Sequence, residues 1–459
     1  MSIEKTSVTR AFLITFKIKF WMNRWDFFKT FLYPLFQVKE RSRWDPLIVK
    51  IDEKLAGLSS NHSTCSIFKV PSRFRHVNKR AFKPEILSIG PYHRGKDKLK
   101  MMEEHKKRYL QKLLERRGES SVERYVTAMI GLEGIARQFY DQSEVSLGQD
   151  EFVEMLLLDG CFIVEFIRKY TNGTDDDDPV FKAPWILSST ATDMLLLENQ
   201  LPFLVLQELF TMTSEQNEED LFGMAFSFCR QIFPGLENHT IHPQNRYKHL
   251  LDMLYYSGYQ LPDSSGSPND NNWHLIRNAK ELQEAGIKFK KREGSSRLFD
   301  VDFLENGTIE IPCLKINDTT ESLFRNLVAY EQCSLCKHLY VTDYITLMDC
   351  LINTQEDVQI LRHSGIIENG LGDDGMVCSL FNNLGINVIL SHCRYFCYNK
   401  VFNGVEEHCN RKRNVWMAKL KHDYFNSPWA LLSFLAAVAL LLFTLVQTVF
   451  TVMSYFQKD

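Results

Sequence analysis

The carboxyl-terminal segment limits what this chain can fold into more than any other stretch. From Trp429 to Val452 the residues are almost all apolar, none is charged, and Gln447 is the one clearly polar member. A helix of this length spans roughly 36 Å at about 1.5 Å per residue, more than the ~30 Å hydrocarbon core of a bilayer. Because a helix in a soluble core keeps a polar or small face, and this one has none, the sequence predicts a transmembrane helix.

The rest of the chain is ordinary globular sequence. About 410 residues remain without this helix and its short tail, enough for real hydrophobic cores. The 459-residue chain is 44% hydrophobic and 24% charged. Its net charge of -3 gives no general attraction to nucleic acid or to acidic substrates. We expect a mainly α fold, in which a large helical globular head with a small β-hairpin precedes one C-terminal transmembrane helix.

Composition divides the chain into five predicted segments. They are a basic aromatic N-terminal arm (1–46), a helical domain (47–410), a basic juxtamembrane segment (411–428), the transmembrane helix (429–452) and a short tail (453–459). The arm mixes Lys and Arg with Phe and Trp, which suits the interface of an anionic membrane. A flexible extension or an extra packing helix fits the same composition.

Charges beside the transmembrane helix predict its orientation. Five basic residues precede the helix, and Lys458 is the basic residue that follows it; the five are Arg411, Lys412, Arg413, Lys419 and Lys421. Because positive flanks stay on the cytosolic side, these topology determinants place the head in the cytosol. The apolar run Ala11–Phe16 is too short for a cleaved signal peptide. We expect the plasma membrane as the bilayer.

Two further patterns bear on the compartment. The 11 Cys are odd in number and scattered, which favours free thiols in a reducing compartment. Five N-x-S/T sequons favour the alternative, a lumenal or extracellular head; they begin at Asn61, Asn172, Asn238, Asn306 and Asn317.

Two local patterns predict elements near later candidate sites. Phe299, Val301 and Phe303 alternate with aspartates, and Asn306-Gly307 then tolerates the positive φ of a tight turn, so a β-hairpin is predicted. The apolar run from Thr190 to Phe210 predicts a helix that Pro202 kinks or divides.

Several motifs resemble a known family. They are Val70-Pro71, Pro84, the SIGPYH stretch at Ser88–His93, Met102–Lys106, Leu157–Phe166, DMLLLENQLPF at Asp193–Phe203, Ala279–Phe289, Arg325–Gln332 and Pro428-Trp429. Together they resemble the plant proteins that carry the domain of unknown function 247, also called uncharacterised protein family 0481, over roughly residues 47–455. The resemblance implies a helical head with a C-terminal membrane helix. It brings no established enzymatic activity and no catalytic residues. Some members in grasses are implicated in self-incompatibility as pollen-side recognition factors.

The SIGPYH stretch is the candidate functional surface. Its members are Ser88, Gly90, Pro91, Tyr92 and His93. A rigid Gly-Pro turn beside a histidine fits a structural turn on which helices dock, a binding surface or a catalytic group. No nucleophile or metal motif accompanies it, since the sequence has no GxSxG, HExxH or Walker loop.

A glycine motif near the end of the head needs a chemical interpretation. Gly370, Gly372 and Gly375 match GxGxxG, but the preceding residues are predicted to be helical, and Asp373 and Asp374 would repel a pyrophosphate. We therefore expect an acidic turn there, with a cation at the two aspartates as the alternative.

The thiols and the acids of the apolar helices complete the candidates. Cys333 and Cys336, with Cys393 and Cys397, could form a zinc site or a redox pair, but free thiols are the expectation. Acidic residues within apolar helices are expected to meet Arg or Lys partners or to cap neighbouring helices; they are Asp159, Glu165, Asp193 and Glu198.

The sequence favours a membrane-anchored recognition or signalling protein without enzymatic activity. The alternative is a membrane-bound enzyme with a site near the SIGPYH stretch. We expect the lipid bilayer and other proteins as partners, and neither nucleic acid nor a small-molecule ligand. We predict no cofactor, and assign no catalytic or metal-binding residue.

Overall fold

The computed structural model describes eleven stretches of the chain: residues 46–55, 65–173, 177–215, 218–233, 247–257, 275–294, 297–334, 336, 338–391, 396–411 and 428–456. The chain divides into two units, Met1–Thr64 and Cys65–Asp459. In the first unit residues 46–55 are helical, and the predicted arm before residue 46 lies outside the described residues. The second unit contains all the elements named below.

The first half of the second unit is helical. Its α-helices are α1 (Ser72–Arg75), α2 (Lys100–Arg117), α3 (Glu123–Arg137), α4 (Gln149–Asn172), α5 (Pro179–Lys182), α6 (Pro184–Asp193), α7 (Phe203–Thr213), α8 (Leu221–Ile232) and α9 (Leu250–Ser257). Short 3-10 helices cover Arg80–Phe82, Asp97–Leu99 and Gln142–Glu144.

Helix α4 is the centre of this half. Sixteen of its 24 residues are buried, and α2, α3, α7 and α8 pack around it. At Gly160 a Cβ would lie 2.4 Å from the Leu209 side chain, so the missing side chain lets α7 approach closely. Aromatic rings fill the other contacts, as Tyr109 of α2 lies 4.8 Å from Phe162 between ring centroids.

The second half combines helices with short strands. Its elements are α10 (Ala279–Glu284), β1 (Lys288–Lys291), β2 (Asp302–Leu304), β3 (Thr308–Ile311), β4 (Leu314–Ile316), α11 (Thr320–Cys333), α12 (Tyr340–Leu351), α13 (Gln355–His363), β5 (Ile367–Asn369), α14 (Asp374–Leu384) and α15 (Asn399–Asn410).

The predicted β-hairpin is confirmed and belongs to a larger sheet. Strand β2 pairs antiparallel with β3, and Gly307 has the positive φ of +80° that the turn requires. Strand β1 adds a parallel partner on the other side of β3. A second, two-stranded parallel sheet joins β4 to β5. The sequence did not predict these parallel pairs.

The helix predicted from Thr190 to Phe210 is wrong as a continuous element. Helix α6 ends at Asp193 and α7 begins at Phe203, so residues 194–202 form a buried loop between them. Pro202 disfavours helical geometry at the residue before it and is the N-cap of α7, so it divides the predicted helix at that point, as expected. This loop carries the polar side chains of the candidate site.

The last helix, α16 (Pro428–Phe456), confirms the predicted C-terminal element. Its 22-residue span Leu432–Met453 is long and apolar enough to cross a membrane, and none of that span is buried. A mainly α fold with one such helix is therefore confirmed. Arg411 is described and exposed, whereas Lys412, Arg413, Lys419 and Lys421 lie outside the described residues.

Candidate functional site

Two loops distant in sequence meet around the carboxylate of Asp193. The backbone N–H groups of Glu85, Ile86 and Leu87 donate to this carboxylate over 2.8, 2.9 and 2.8 Å. Burial raises the pKa of Asp193 to about 6, although these donors oppose the rise. One side chain therefore holds the loop that leads into the SIGPYH stretch.

Asn199 continues the connection between the loops. Its Oδ1 accepts from the N–H of Ile89 over 2.7 Å, and its Nδ2 donates to the carbonyl of Leu87 over 3.0 Å. The Asn199 side chain thus bonds the backbone of the SIGPYH loop in both directions, as a neighbouring β-strand would. Asn199 is completely buried, so these bonds form away from water.

Gly90 is where the two loops approach most closely. Its φ is +70°, and a Cβ there would lie 2.8 Å from the carbonyl oxygen of Gln200. Its N–H donates to Oδ2 of Asp159 over 2.9 Å. Glycine is required here both for the backbone conformation and for the space.

A buried ion pair lies beneath the turn. Lys106 Nζ is 2.6 Å from Asp159 Oδ1, and both side chains are 1% exposed. Lys106 also donates to the carbonyl of Ser88 over 2.5 Å and to Glu103 over 2.6 Å. Burial raises the pKa of Asp159, while Lys106 opposes that rise. Helices α2 and α4 are locked to the turn by this pair.

His93 is held between two charged groups. Its Nε2 lies 3.1 Å from Glu198 Oε2, and its Nδ1 lies 2.5 Å from Lys96 Nζ. Burial lowers the pKa of His93, so the ring is neutral at pH 7. In that state Nε2–H donates to Glu198, and Nδ1 accepts from Lys96.

Glu198 is shared by three groups. It accepts from the N–H of Val70 over 2.5 Å, and it pairs with Arg75 as well as with His93. Burial raises the pKa of Glu198, but the hydrogen bonds from His93 and Arg75 outweigh that effect and hold it below its ordinary value. We call this arrangement the polar junction; its members are His93, Lys106, Asp159, Asp193, Glu198 and Asn199.

Most of the predicted functional surface is buried in the fold. Ser88 is 1% exposed, His93 is 3% exposed, and Gly90 is buried. Pro91 and Tyr92 are half-buried, and the Tyr92 hydroxyl donates to the carbonyl of Ile67 over 2.9 Å. Backbone groups of Ser88, Ile89 and Gly90 bond the neighbouring loop and helices α2 and α4, which fits a turn on which helices dock.

The acidic residues predicted to meet basic or capping partners do so. Asp159 pairs with Lys106, Glu198 with Arg75, and Glu165 with both Arg116 and Arg168. Asp193 accepts from backbone N–H groups, as described above.

The alternative zinc or redox use of the cysteines gains no support from the described residues. Cys333 and Cys336 are half-buried free thiols, and burial raises the pKa of Cys333 to about 11 and that of Cys336 in the same direction. Cys397 forms no disulfide, and its N–H donates to Asp343 over 2.8 Å; Cys393 lies outside the described residues. Within the described parts of the chain, no group of three or more His, Cys, Asp or Glu is placed to hold a metal ion.

The glycine motif lies in a context that the sequence did not predict. Strand β5 ends at Asn369, directly before Gly370, and α14 begins at Asp374. The order strand, glycines, helix is thus present. The stretch 356–365 that was expected to be helical is helical as far as His363, but the residues between it and the motif form strand β5 instead of a turn. Asp374 is engaged by Arg362 at 3.2 Å and by Asn369 at 3.0 Å.

A cleft of about 510 Å³ opens beside this motif. Its lining includes the carboxylates of Asp318, Glu321 and Asp373. Glu321 is already engaged by Arg325 at 2.7 Å and by Asn78 at 3.1 Å. Negative charge at the ends of β4 and β5 opposes a phosphate, which agrees with the predicted acidic turn.

Sequence reasoning missed one member of the polar junction and two buried polar residues beside it. Asn199, Gln200 and Asn326 were not singled out, yet all three are at most 1% exposed. Asn326 of α11 accepts from the N–H of Leu197 over 2.9 Å and donates to the carbonyl of Ala81 over 2.7 Å. The available signal was Glu198-Asn199-Gln200 inside an apolar run. Three consecutive polar residues cannot share one helix face, and so they predict a loop.

Comparison with known proteins places the chain in a family. The family model described as a plant protein of unknown function, DUF247, matches residues 67–443. The chain is 34% identical to the UPF0481 protein At3g47200 of Arabidopsis thaliana, with 86% of this chain and 88% of that protein covered. It is 21% identical to the putative UPF0481 protein At3g02645 of the same plant, with 93% of this chain and 98% of that protein covered. No solved structure matches. The chain therefore belongs to the DUF247 family of plant proteins of unknown function.

Proposed function

We propose that this protein is a membrane-anchored recognition protein without enzymatic activity, and that its head faces the cytosol. The observation that carries the proposal is α16, whose 22-residue apolar span is not buried at all. A helix of this kind gains its stability in a bilayer, since water would leave its whole apolar surface exposed.

The polar junction supports recognition over catalysis. A general base must reach its substrate, and both ring nitrogens of the buried His93 are already engaged by Glu198 and Lys96. The remaining polar groups of the junction bond backbone atoms or one another. Such an arrangement gives a rigid head that presents a fixed surface to a partner.

The predicted topology supports a cytosolic head. Five basic residues precede α16 in the sequence, and one follows it. Free thiols suit the same compartment. The plasma membrane is the bilayer that we propose.

The anchor is tested by charge in the middle of α16. Leu440 and Leu441 are 67% and 69% exposed, so replacing them leaves the head core intact. The double change Leu440→Lys and Leu441→Lys adds about 2.5–3.5 kcal/mol per lysine at the bilayer centre. The full-length variant should move from the carbonate-resistant membrane fraction to the soluble or aggregated fraction.

The matched control is Leu440→Ala with Leu441→Ala, which shortens the same side chains without adding charge. This control should stay in the membrane fraction. Extraction of the wild-type chain by carbonate would contradict the proposed membrane anchor. So would a double lysine variant that stays in the carbonate-resistant membrane fraction.

A further inference from the structure

Four cations gather beside the polar junction on the side that faces solvent. Arg75 ends α1, Lys83 follows a 3-10 helix, and Lys96 and Lys98 lie in the turn before α2. We call these four residues the basic cluster. The three lysines are exposed, and Arg75 is half-buried.

Contacts with shared neighbours bring the cations of the basic cluster together. Lys98 donates to the carbonyl of Pro84, the residue after Lys83. Lys96 contacts His93, whose other ring nitrogen lies 3.1 Å from Glu198, the partner of Arg75.

Burial lowers the pKa of Lys96, and Lys98, Lys83 and Arg75 lower it further. The opposing influence is Glu198, whose side chain is 1% exposed and already serves Arg75 and His93. The solvent side of the cluster therefore carries net positive charge.

Nearby exposed acids cancel only part of this charge. Asp97 pairs with Lys100 at 2.6 Å, whereas Glu85 accepts from the neutral Ser189 hydroxyl over 2.7 Å and keeps its own charge. Four cations thus face the two carboxylates of Glu198 and Glu85. Lys83 makes no ion pair within the described residues. An anion placed over the cluster would relieve repulsion that the chain itself leaves uncompensated.

The cluster is also held in place before any ligand arrives. Lys96 is fixed by His93, Lys98 donates to the carbonyl of Pro84 over 2.6 Å, and Arg75 is fixed by Glu198. Preorganised cations lose little side-chain freedom on binding, which favours affinity.

We propose that the basic cluster binds the phosphate groups of anionic lipids in the bilayer that α16 crosses. The proposal rests on the proposed membrane anchor. A lipid source is favoured because the chain brings its own bilayer close: the residues between Arg411 and Pro428 span at most about 60 Å when fully extended. Anionic lipids are concentrated in the cytoplasmic leaflet, the side proposed for the head.

The test is a lysine footprint of the full-length chain in nanodiscs. One preparation contains phosphatidylcholine alone, and the other contains phosphatidylserine as well. Amine acetylation followed by mass spectrometry measures the acetylation rate of each lysine. Each lysine at an anionic surface contributes about a fivefold gain in binding. We expect acetylation of Lys83, Lys96 and Lys98 to slow several-fold in the anionic discs, and the effect to vanish near 1 M salt, where the Debye length is about 3 Å.

A pair of variants separates the cluster from general charge. Lys83→Gln with Lys98→Gln should weaken lipid binding by roughly 25-fold, so the several-fold lipid-dependent protection of Lys96 should disappear. The control, Lys288→Gln with Lys290→Gln, removes two exposed lysines of β1 and should leave that protection unchanged.

Several results would overturn the proposal, and they differ from failure of the anchor. Equal acetylation in both disc types, for a chain that has entered the bilayer, rejects the lipid contact and leaves the anchor standing. Equal protection by soluble inositol hexakisphosphate in phosphatidylcholine discs rejects a membrane source for the phosphate. A chain that does not enter nanodiscs at all rejects both the anchor and the lipid contact.

Discussion

At Gly90 the chain has no room for a side chain. Replacing Gly90 with Ala places a Cβ 2.8 Å from the backbone carbonyl of Gln200, which a rotamer change cannot relieve. The positive φ alone costs about 1–2 kcal/mol, and the contact adds to it. We expect Gly90→Ala to lower the free energy of unfolding by about 3 kcal/mol, measured by denaturant titration of the full-length protein in detergent.

Gly95 provides the matched control for this substitution. Its φ is +80°, but a Cβ there would meet nothing within 4 Å. Gly95→Ala should therefore show the conformational cost of about 1–2 kcal/mol alone. Equal losses for the two variants would show that close approach at Gly90 has no energetic weight.

His249 is a second residue with a fixed protonation state. It is completely buried, with Nε2 lying 3.2 Å from the carbonyl oxygen of Ser66 and Nδ1 accepting from the N–H of Asp252 over 3.1 Å. Burial lowers the pKa of His249 to about 3, whereas in the unfolded chain it returns to about 6.5.

This difference predicts a pH dependence with a definite sign. Below about pH 6.5 the unfolded chain binds a proton that folded His249 does not, so stability falls as the pH is lowered toward 3. The contribution is about 1.4 kcal/mol per pH unit. His249→Asn should flatten the pH dependence of the unfolding midpoint between about pH 6 and 4. His363→Asn, at an exposed site on α13, should leave that slope unchanged.

At the scale of elements, one carboxylate fixes the SIGPYH loop against α6. Asp193→Ala would leave three backbone N–H groups without their acceptor, two of them on buried residues, and each unsatisfied donor costs about 1–3 kcal/mol. We expect a loss of at least about 3 kcal/mol, together with faster hydrogen exchange at Ile86 and Leu87. Glu85→Ala removes an exposed carboxylate from the same loop and should cost less than about 0.5 kcal/mol. Unchanged exchange in Asp193→Ala would contradict the role of this side chain.

Elements that depend on neighbouring residues can be predicted from the sequence, whereas elements that depend on distant partners cannot. Helix α2 has a local cause, because its buried residues Met102, Tyr109 and Leu113 recur at helical spacing and Gly118, with a φ of +64°, caps its end. The hairpin follows from Asn306-Gly307 in the same way. Strands β1, β4 and β5 have only three or four residues, and their partners are distant in sequence, so no local pattern marks them.

The candidate site was less predictable than the elements. The SIGPYH stretch was located, but its burial depends on side chains far along the chain. Lys106 and Asp159 are 53 residues apart, and nothing in the spacing indicates that they pair. The 194–202 loop was hidden by an apolar composition that also suits a helix.

At the scale of the whole molecule, three sequons offer a direct test of orientation. Asn172, Asn306 and Asn317 are exposed, so the fold does not shield them from a glycosyltransferase. With a cytosolic head they never meet that enzyme. We expect glycosidase treatment to leave the electrophoretic mobility unchanged, and protease added to sealed vesicles to digest the head. A glycosylated, protease-protected head would reverse the proposed topology.

Contacts of Asn326 with the first half of the chain can form only late in synthesis. Its side chain joins the loop at Leu197 to the carbonyl of Ala81, and it follows Leu197 by 129 residues. At about 5–20 residues per second, the ribosome needs on the order of ten seconds to supply that partner. During this interval the apolar loop before α7 lacks one of its permanent contacts. The nascent chain therefore has a defined period in which the N–H of Leu197 and the carbonyl of Ala81 lack their common partner, and Asn326 is supplied before α16 has been synthesised.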